Sequence, residues 1–597
     1  MSRADWIVLI ITLAVIIAWG LYKSRTTRNL DGYFLSNRTM PWWLVLLSIM
    51  GTQASAITFL SAPGQAYTDG MRFVQYYFGL PLAMVVLCVT FVPIFHKLKI
   101  YTAYEYLESR FDAKTRTLTS LLFLLQRGVS TGISIYAPAI ILSSLLGWNI
   151  YWTNIFMGGL LIIYTVTGGA RAVAYTQQLQ LIIIFAGMFI AAYMVVHLLP
   201  DGIGFIDALK VSGRLGKLNV ITTGSTGHGF NWSDRYNIWS GIIGGFFLQL
   251  SYFGADQSQV GRYLTAKSLT ESRLGLLMNG MVKVPMQFLI LLIGTLVFAF
   301  YQFNTAPLFF NKVQVNRVAQ SPYADSLQVM QRQYDALAAQ KKAAVTQWVS
   351  DYKAGADTKA SEQRLKAING QTEQVRTGFK SLLAKKGVGG DNNDTNYIFL
   401  RFVVDYLPKG LVGLLIAVIF LAAWGSIAAA LNSLASCTVV DIHKRYIRRN
   451  CTEQVDYTTS RWYTFAWGVF SIIVAMFATN MGSLIEAVNV LGSLFYGVIL
   501  GVFLVAFYLK WIGGTTVFTS ALVVEILIII SFFWPWVNEH IPVLVRAMPS
   551  AMARFMASCS QIGFLWLNVI GALGVVLLSI VLQPLLRRSD KTSSFVP

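Results

Sequence analysis

Polar side chains interrupt an apolar stretch of membrane-crossing length at residues 48–64, which read SIMGTQASAITFLSAPG. In hydrocarbon, polar side chains and unpaired backbone carbonyls are costly, so such groups usually face a cavity inside the protein. A helix broken near Gly51 would present free carbonyl oxygens, and the side chains beside the break would line that cavity. The candidates for contacting a solute here are Gln53, Ser55 and Thr58.

A second stretch, residues 237–258, has the same character. Its glycines and polar residues include Gly241, Gly244, Gly245, Gln249, Ser251, Tyr252, Gly254, Asp256 and Gln257. Two polar, glycine-interrupted spans in corresponding places are typical of a transporter with a midmembrane site between inverted repeats. Close packing through small residues is the alternative. Amides, hydroxyls and one ring favour a polar solute with some apolar surface, although Tyr252 is equally well explained as a core aromatic.

A third stretch offers oxygens for a cation. Residues 422–436 read AAWGSIAAALNSLAS, in which small side chains allow close backbone approach and Ser426 is one of several hydroxyl or amide residues. A dehydrated sodium ion takes about five or six hard oxygen ligands, by the preference that also governs calcium and magnesium sites. Carbonyls freed near Gly51 and Ala54 would complement them. Packing through small residues again remains open.

Arg127 lies inside an apolar stretch, FLLQRGVSTG, without an acidic residue within one helical turn. Ionisable residues at membrane depth are taken as functional by default. Three interpretations are open: Arg127 binds a carboxylate of the solute, pairs with an acid from another helix, or extends to the cytoplasmic headgroups. The first requires that no neighbouring helix supplies an acid that neutralises it.

Membrane-spanning helices must position these residues. The chain has 597 residues, 55% of them hydrophobic and only 12% charged, against roughly a quarter charged in a soluble domain. At about 20 apolar residues per span, we predict about thirteen transmembrane helices in an all-α polytopic membrane protein. The predicted spans are 5–22, 42–64, 76–96, 117–146, 151–167, 178–199, 237–258, 279–302, 410–437, 462–479, 484–509, 514–536 and 562–584.

One long polar segment, residues 303–408, divides the chain into transmembrane parts 1–302 and 409–597. Apolar residues recur in it at helical spacing, which predicts two amphipathic helices broken near Ala354–Asp357. We expect a solvated helical hairpin on the extracytoplasmic face, and a binding module is the less favoured alternative.

The formal net charge of +20 would suggest nucleic acid in a soluble chain, but here the basic residues concentrate in alternate loops. The positive-inside rule places these loops, with Arg25, Lys444 and Arg587, in the cytoplasm. The amino terminus then lies outside and the carboxyl terminus inside, in a plasma membrane such as the bacterial inner membrane. No nucleophile–base pair, metal-ligand spacing or phosphate loop occurs, so the sequence does not indicate an enzyme. The expected partners are a small solute and the lipid bilayer, without nucleic acid, and we expect a functional monomer.

Eight motifs follow one another in a fixed order, among them DGYFLSNRTMPWW at 31–43, SAITFLSAPGQAY at 55–67, YTVTGGARAVAYTQQLQ at 164–180, DQSQVGRYLTAKS at 256–268 and ALNSLASCTVVDIHKRY at 430–446. In combination they resemble the sodium:solute symporter family, the relatives of the sodium/glucose cotransporters. The resemblance implies a leucine-transporter-type 5+5 inverted repeat with broken helices. It also implies sodium-coupled import of a small polar solute by alternating access. A solute-sensing receptor built on a transporter fold is the alternative function.

The resemblance also implies a site for the co-transported sodium ion. Its ligands would be the carbonyls of Gly51, Ala54, Ala422 and Gly425 and the hydroxyl of Ser426. The family often has two adjacent serines where this chain has Gly425–Ser426. One hydroxyl ligand is therefore missing.

Two departures from the family pattern bear on stoichiometry and substrate. Members that use an additional sodium carry an aspartate where this chain has Gln177, and Ala428 and Ala429 stand in the places of its partner hydroxyls. A neutral amide does not supply a carboxylate's charge, so we predict one sodium per turnover. Ile57 and Thr58 replace an amide and a carboxylate of sugar-transporting relatives, which disfavours a hexose. The expected solute is a sugar, a polyol or a small carboxylate such as a sugar acid.

Overall fold

The computed structural model describes residues 1–24, 30–227, 229–385, 387–448, 452–478 and 482–586. The part before the polar segment is built from thirteen α-helices: α1 Arg3–Ser24, α2 Leu30–Leu35, α3 Trp42–Gln53, α4 Ala56–Asp69, α5 Leu80–Val86, α6 Val92–Leu98, α7 Glu105–Arg110, α8 Ala113–Leu146, α9 Ile150–His197, α10 Phe205–Arg214, α11 Gly245–Gly254, α12 Gln257–Tyr263 and α13 Leu269–Phe303. Two short strands, β1 Ser225–Thr226 and β2 Gly229–Phe230, pair antiparallel between α10 and α11.

The remaining helices lie in the polar segment and in the second transmembrane part. They are α14 Lys312–Ala319, α15 Ala324–Lys353, α16 Lys359–Leu383, α17 Thr395–Tyr406, α18 Leu411–Cys437, α19 Glu453–Met476, α20 Leu484–Tyr508, α21 Gly514–Phe532, α22 Trp534–His540, α23 Pro542–Ala547, α24 Ser550–Cys559 and α25 Phe564–Leu586. Tighter or wider helical turns occupy Ser36–Arg38, Met71–Tyr77, Leu87–Phe91, Ser240–Gly244 and Thr438–Ile447.

Eight helices of the described residues are long and apolar enough to cross a bilayer, and the bent pair α3–α4 makes a ninth. The predicted count of thirteen is therefore not confirmed. Helices α1, α9, α11 and α19 nevertheless lie on the other four predicted spans. The helical membrane architecture that the composition predicts is present, with β1 and β2 as the strands among the described residues.

The central part of the fold is formed by α3, α4, α9, α13 and α18, which pack against one another. Nearly all of α18 is buried inside the protein, because its alanines, glycines and serines let neighbouring helices approach closely. Next to α18, the axes of α3 and α4 meet at an angle of 60°. This bend brings backbone groups of the first broken helix toward α18 and α9.

In the polar segment, α15 and α16 form the predicted pair of helices, separated at residues 354–358. Apolar residues of both helices are buried, such as Tyr334 of α15 and Phe379 of α16. Arg376 of α16 donates a hydrogen bond of 2.8 Å to the buried carboxylate of Asp394, just before α17. Next to it, a Cβ built on Gly64 of α4 would lie only 1.9 Å from the Thr395 carbonyl oxygen. The segment is thus seated directly on the broken helix.

Candidate functional site

The first break frees the carbonyl oxygens that the sequence assigned to a cation. The Ser55 N–H donates to the Gln53 carbonyl at 3.1 Å, and the Thr58 N–H donates to the Ser55 carbonyl at 2.9 Å. In a continuous helix these N–H groups would bond to the carbonyls of Gly51 and Ala54, four residues earlier. Within the described residues, both carbonyls are left without their helical donors.

The second break separates α11 from α12. The Ser251 carbonyl accepts from the N–H groups of Ala255 at 2.8 Å and Asp256 at 3.3 Å, and the helix then ends. The Asp256 carboxylate restarts it as an N-cap by accepting from the Ser258 N–H at 2.8 Å and from its hydroxyl at 2.6 Å. The break thereby places a buried carboxylate at the helix junction.

Arg127 of α8 forms an ion pair with Asp256 through its Nη2 atom. The same carboxylate oxygen accepts from the Tyr496 hydroxyl at 2.7 Å, and Nη2 lies 3.2 Å from that hydroxyl oxygen. The Tyr252 ring covers the guanidinium at 5.5 Å. Of the three interpretations for Arg127, pairing with an acid from another helix is the one observed. Carboxylate binding by an unpaired Arg127 required that no neighbouring helix supply an acid. Asp256 is such an acid, so this requirement is not met.

The pair nevertheless leaves part of the guanidinium available. A guanidinium carries five N–H donors, and the hydrogen bonds described for Arg127 use Nη2 alone. Its Nε is buried without a hydrogen-bond partner among the described residues.

A cavity of about 90 Å³ lies beside this cluster, between both helix breaks, α8 and α20. Five of the eight predicted substrate residues line it: Gln53, Ser55, Thr58, Arg127 and Tyr252. The breaks therefore bring together Gln53 and Tyr252, which are 199 positions apart in the chain.

The other three predicted residues lie outside the lining. Asp256 reaches the cavity only through Arg127 and Tyr496. Gln257 holds the segment before α7 instead, since its amide donates to the Tyr101 carbonyl at 2.7 Å and accepts from the Ala103 N–H at 3.0 Å. Both amide atoms of Gln249 are buried without a hydrogen-bond partner in the described part of the chain.

Several lining residues were not predicted, among them Tyr76, Tyr77, Gln126, Ser130, Asn489 and Tyr496. The Tyr76 hydroxyl donates to the Asn489 side-chain oxygen at 3.1 Å, which joins the segment before α5 to α20. Gln126 and Ser130 flank Arg127 on α8, so their proximity to it was a usable signal. Tyrosines in an aromatic-rich chain gave no comparable signal.

Lys283 of α13 was also missed. It is fully buried, and its ammonium group has no hydrogen-bond partner among the described residues. The ring of Tyr77, which lines the cavity, lies 5.4 Å from Nζ. A buried cation without a counter-ion is strongly unfavourable. Lys283 itself does not line the cavity.

The predicted sodium ligands from α18 are hydrogen-bonded in this structure. The Ser426 hydroxyl donates to the carbonyls of Ala422 at 3.0 Å and Ala423 at 3.1 Å. The Gly425 carbonyl accepts from the Gln177 amide at 3.0 Å. The Ser426 hydroxyl and the Gly425 carbonyl are thus each engaged in a hydrogen bond within the protein.

Gln177 fills the junction of α3, α9 and α18. Its Nε2 also donates to the Thr52 hydroxyl at 3.2 Å, and its Oε1 accepts from the Ser48 hydroxyl at 2.9 Å. A Cβ built on Gly51 would lie 2.9 Å from the Gln177 side chain. An uncharged amide thus fills this junction, and its Nε2 donates to the Thr52 and Gly425 oxygens.

Comparison with known protein families assigns the chain to one of them. The profile of the sodium:solute symporter family matches residues 33–324 and 377–523, which leaves out most of the α15–α16 hairpin. The chain belongs to the sodium:solute symporter family. The resemblance given by the sequence motifs is thereby confirmed.

The relatives are sodium-coupled carriers. The chain is 24% identical to the sodium/sialic acid symporter NanT of Aliivibrio fischeri, over 98% of this chain and 94% of that protein. It is 25% identical to the sodium/sialic acid symporter SiaT of Proteus mirabilis, over 97% and 95% of the two chains. It is 24% identical to the sodium/glucose cotransporter of Vibrio parahaemolyticus, over 85% and 81%.

The fold is shared with a solved symporter. The outward-open structure of a Na⁺-coupled sialic acid symporter superposes with a TM-score of 0.71 at 23% identity, over 98% of both chains. This confirms the leucine-transporter-type fold. The protein is a sodium-coupled symporter of a small polar organic solute, with sodium as the co-transported ion, and is not an enzyme.

Proposed function

We propose that the transported solute is a hydroxylated carboxylate of the sugar-acid class. The observation that carries this proposal is the Arg127 guanidinium, which lines the cavity. Its described hydrogen bonds, to Asp256 and Tyr496, use Nη2 alone. A guanidinium has five N–H donors, and a carboxylate accepts charge-assisted hydrogen bonds from it. A carboxylate of the solute would use the donors that remain.

The neutral lining suits the rest of such a solute. Gln53, Ser55 and Thr58 of the broken helix and Gln126 and Ser130 of α8 supply amides and hydroxyls. These groups both donate and accept, as sugar hydroxyls require. The Tyr252 ring offers an apolar face. The sialic acid symporters among the relatives carry a solute of this chemistry, which supports the same class here.

The sodium ion is proposed to bind between the first break and α18. The carbonyl oxygens of Gly51, Ala54 and Ala422 and the Ser426 hydroxyl are its ligands, with water or the Gly425 carbonyl completing the shell. All are uncharged oxygens, which suits a singly charged hard cation. Because Gly51 and Ala54 lie in the same break as the solute-contacting residues, binding of ion and solute is coupled through the geometry of that break.

One sodium per solute is proposed because of Gln177. Its amide donates to Thr52 and Gly425, so both oxygens already have a hydrogen-bond donor. Ala428 and Ala429 contribute no hydroxyl. Transport of a monocarboxylate with one sodium ion would then move no net charge.

The molecule is proposed to work as a monomer in a bacterial inner membrane, with its amino terminus and the hairpin α15–α16 outside. The distribution of basic loops supports this orientation. Of the basic residues cited for it, Lys444 lies within the described residues, and Arg25 and Arg587 lie outside them.

Uptake into proteoliposomes tests this function. Sialic acid, glucose and lactate are offered with an inward sodium gradient and, in parallel, with a potassium gradient of equal size. We expect sodium-driven accumulation of the acids and not of glucose. Binding without accumulation would instead identify a receptor, and sodium-driven accumulation of glucose alone would refute the carboxylate proposal.

A further inference from the structure

A stripe of polar side chains runs along α13 inside the membrane-spanning part of the fold. Asn279, Lys283 and Gln287 follow one another at intervals of four residues, so their side chains lie on one face of the helix. All three residues are fully buried. Polar and ionisable side chains at membrane depth are costly, so a buried stripe of them indicates a function.

The polar atoms of this stripe are unsatisfied. The Lys283 ammonium and both amide atoms of Asn279 and of Gln287 have no hydrogen-bond partner among the described residues. Buried polar groups in folded proteins are nearly always hydrogen-bonded, and a buried charge without a counter-ion is costlier still. These atoms lie along about 12 Å of helix, eight residues at a rise of 1.5 Å. Their concentration points to a bound species.

The balance of donors and acceptors indicates the charge of that species. The Lys283 ammonium has three N–H donors and each of the two amides has two, against one acceptor oxygen on each amide. The Tyr77 ring lies 5.4 Å from the Lys283 Nζ atom, and a ring attracts a cation without neutralising it. In the described part of the chain, no carboxylate hydrogen-bonds to this ammonium. An anion fits this set of donors.

The enclosure of the stripe indicates the size of the anion. None of its three side chains lines the central cavity. Side chains without exposed surface can enclose a single ion, whereas an acid with a carbon skeleton needs a cavity. A monatomic anion also accepts hydrogen bonds from any direction, so it does not need the planar arrangement of donors that suits a carboxylate. Chloride is the common anion with these properties.

The stripe lies level with the first helix break. A Cβ built on Gly275 would lie 2.8 Å from the Val45 side chain of α3, and one built on Gly294 would lie 2.1 Å from the Pro63 carbonyl oxygen of α4. α13 therefore packs against both halves of the broken helix, and Lys283 lies between these two contacts. A charge left unpaired at this level would oppose the packing of α13 beside the break.

We propose that a chloride ion binds to Lys283, with the amides of Asn279 and Gln287 as further donors. The ion neutralises the ammonium and stabilises the packing of α13 against α3 and α4. It is bound without being transported, because its ligands do not line the central cavity. The site does not depend on the solute class proposed above.

The test measures the melting temperature of the full-length protein in lipid nanodiscs, without solute, in sodium chloride and in sodium methanesulfonate of equal concentration. A ligand of the folded state stabilises it, so chloride should raise the wild-type melting temperature by a few degrees. Lys283→Met should abolish this rise, and Gln287→Leu should require about tenfold more chloride for it. In the matched control Gln302→Leu the rise should persist, because this buried amide of α13 donates to the Phe298 carbonyl at 3.3 Å, away from the stripe.

Crystals of the wild-type protein grown in bromide locate the ion without any variant. Anomalous difference density should show a bromide in contact with the Lys283 ammonium. A chloride effect that persists in Lys283→Met, or the absence of both the chloride effect and the bromide peak, would overturn the site. Stabilisation by sialic acid but not by chloride, lost in Lys283→Met, would also overturn it and would assign the ammonium to the solute.

Uptake shows whether the ion is bound or carried. With equal chloride on both sides of the proteoliposome membrane, sodium-driven uptake should be several-fold faster than in methanesulfonate. An inward chloride gradient should add nothing further. Acceleration by that gradient would contradict a bound ion that is not transported, and uptake at the same rate in both anions would contradict its role beside the break while leaving sodium symport standing.

Discussion

Arg127 has two proposed roles, the ion pair with Asp256 and hydrogen bonds to the solute carboxylate, and Arg127→Lys tests them separately. A lysine ammonium can keep the ion pair with Asp256, but it lacks the Nε and Nη1 donors that the described hydrogen bonds leave unused. Losing one charged hydrogen bond to a carboxylate costs about 1.5–3 kcal/mol. Since about 1.4 kcal/mol is a factor of ten, the apparent KM for an acidic solute should rise about 10- to 100-fold.

The assay is initial uptake into proteoliposomes as a function of solute and, separately, of sodium. Half-saturation by sodium should stay within about twofold, because the proposed ion ligands lie on α3 and α18. Arg273→Lys is the matched control, since Arg273 donates to the Cys88 carbonyl at 2.9 Å outside the cavity lining. An unchanged KM for the acid in correctly folded Arg127→Lys would refute the inference that Arg127 contacts the solute.

Three further changes test other parts of the structure. Ser426→Ala should raise the sodium concentration for half-maximal uptake several-fold, and an unaltered sodium dependence would remove Ser426 from the ion site. Gln177→Asp puts a charge between Thr52 and Gly425, so the melting temperature should fall while the Hill coefficient for sodium stays near one. A coefficient near two would show that a second sodium binds without the missing hydroxyls. Because burial raises the pKa of Asp391 to about 6, the folded state binds a proton on this carboxyl more tightly than the unfolded state does. The free energy of unfolding should therefore fall as pH rises from 4 to 7, and it should fall less in Asp391→Asn. Equal pH profiles of melting temperature would contradict this.

Local composition was enough to predict the first break. Polar residues and glycine in the middle of a hydrocarbon-length span are costly unless they face a cavity, and the structure interrupts the helix at Ala54 and Ser55. Five solute-contacting candidates from the two broken spans and α8 line one cavity. The amphipathic pair α15–α16 also followed from apolar spacing alone.

Contacts between distant helices could not be predicted in the same way. Arg127 and Asp256 are 129 positions apart, and neither sequence neighbourhood indicates the other. Lys283 lies in an apolar stretch whose burial becomes apparent only when α13 packs against α3 and α4. Gln257 was assigned to the solute because it follows the second break, but its amide is used to hold the segment before α7. The direction of a side chain at a helix break depends on packing that sequence periodicity does not encode.

The coupling of one sodium ion to one carboxylate is tested most directly by measuring charge and solute together. An inward sodium gradient is imposed across the proteoliposome membrane. Uptake of the acidic solute is then followed at zero and at inside-negative membrane potential. We expect accumulation that is driven by sodium, absent with potassium, and independent of the potential because one positive and one negative charge move together. Accumulation without sodium, or a strong acceleration by the inside-negative potential, would contradict this coupling.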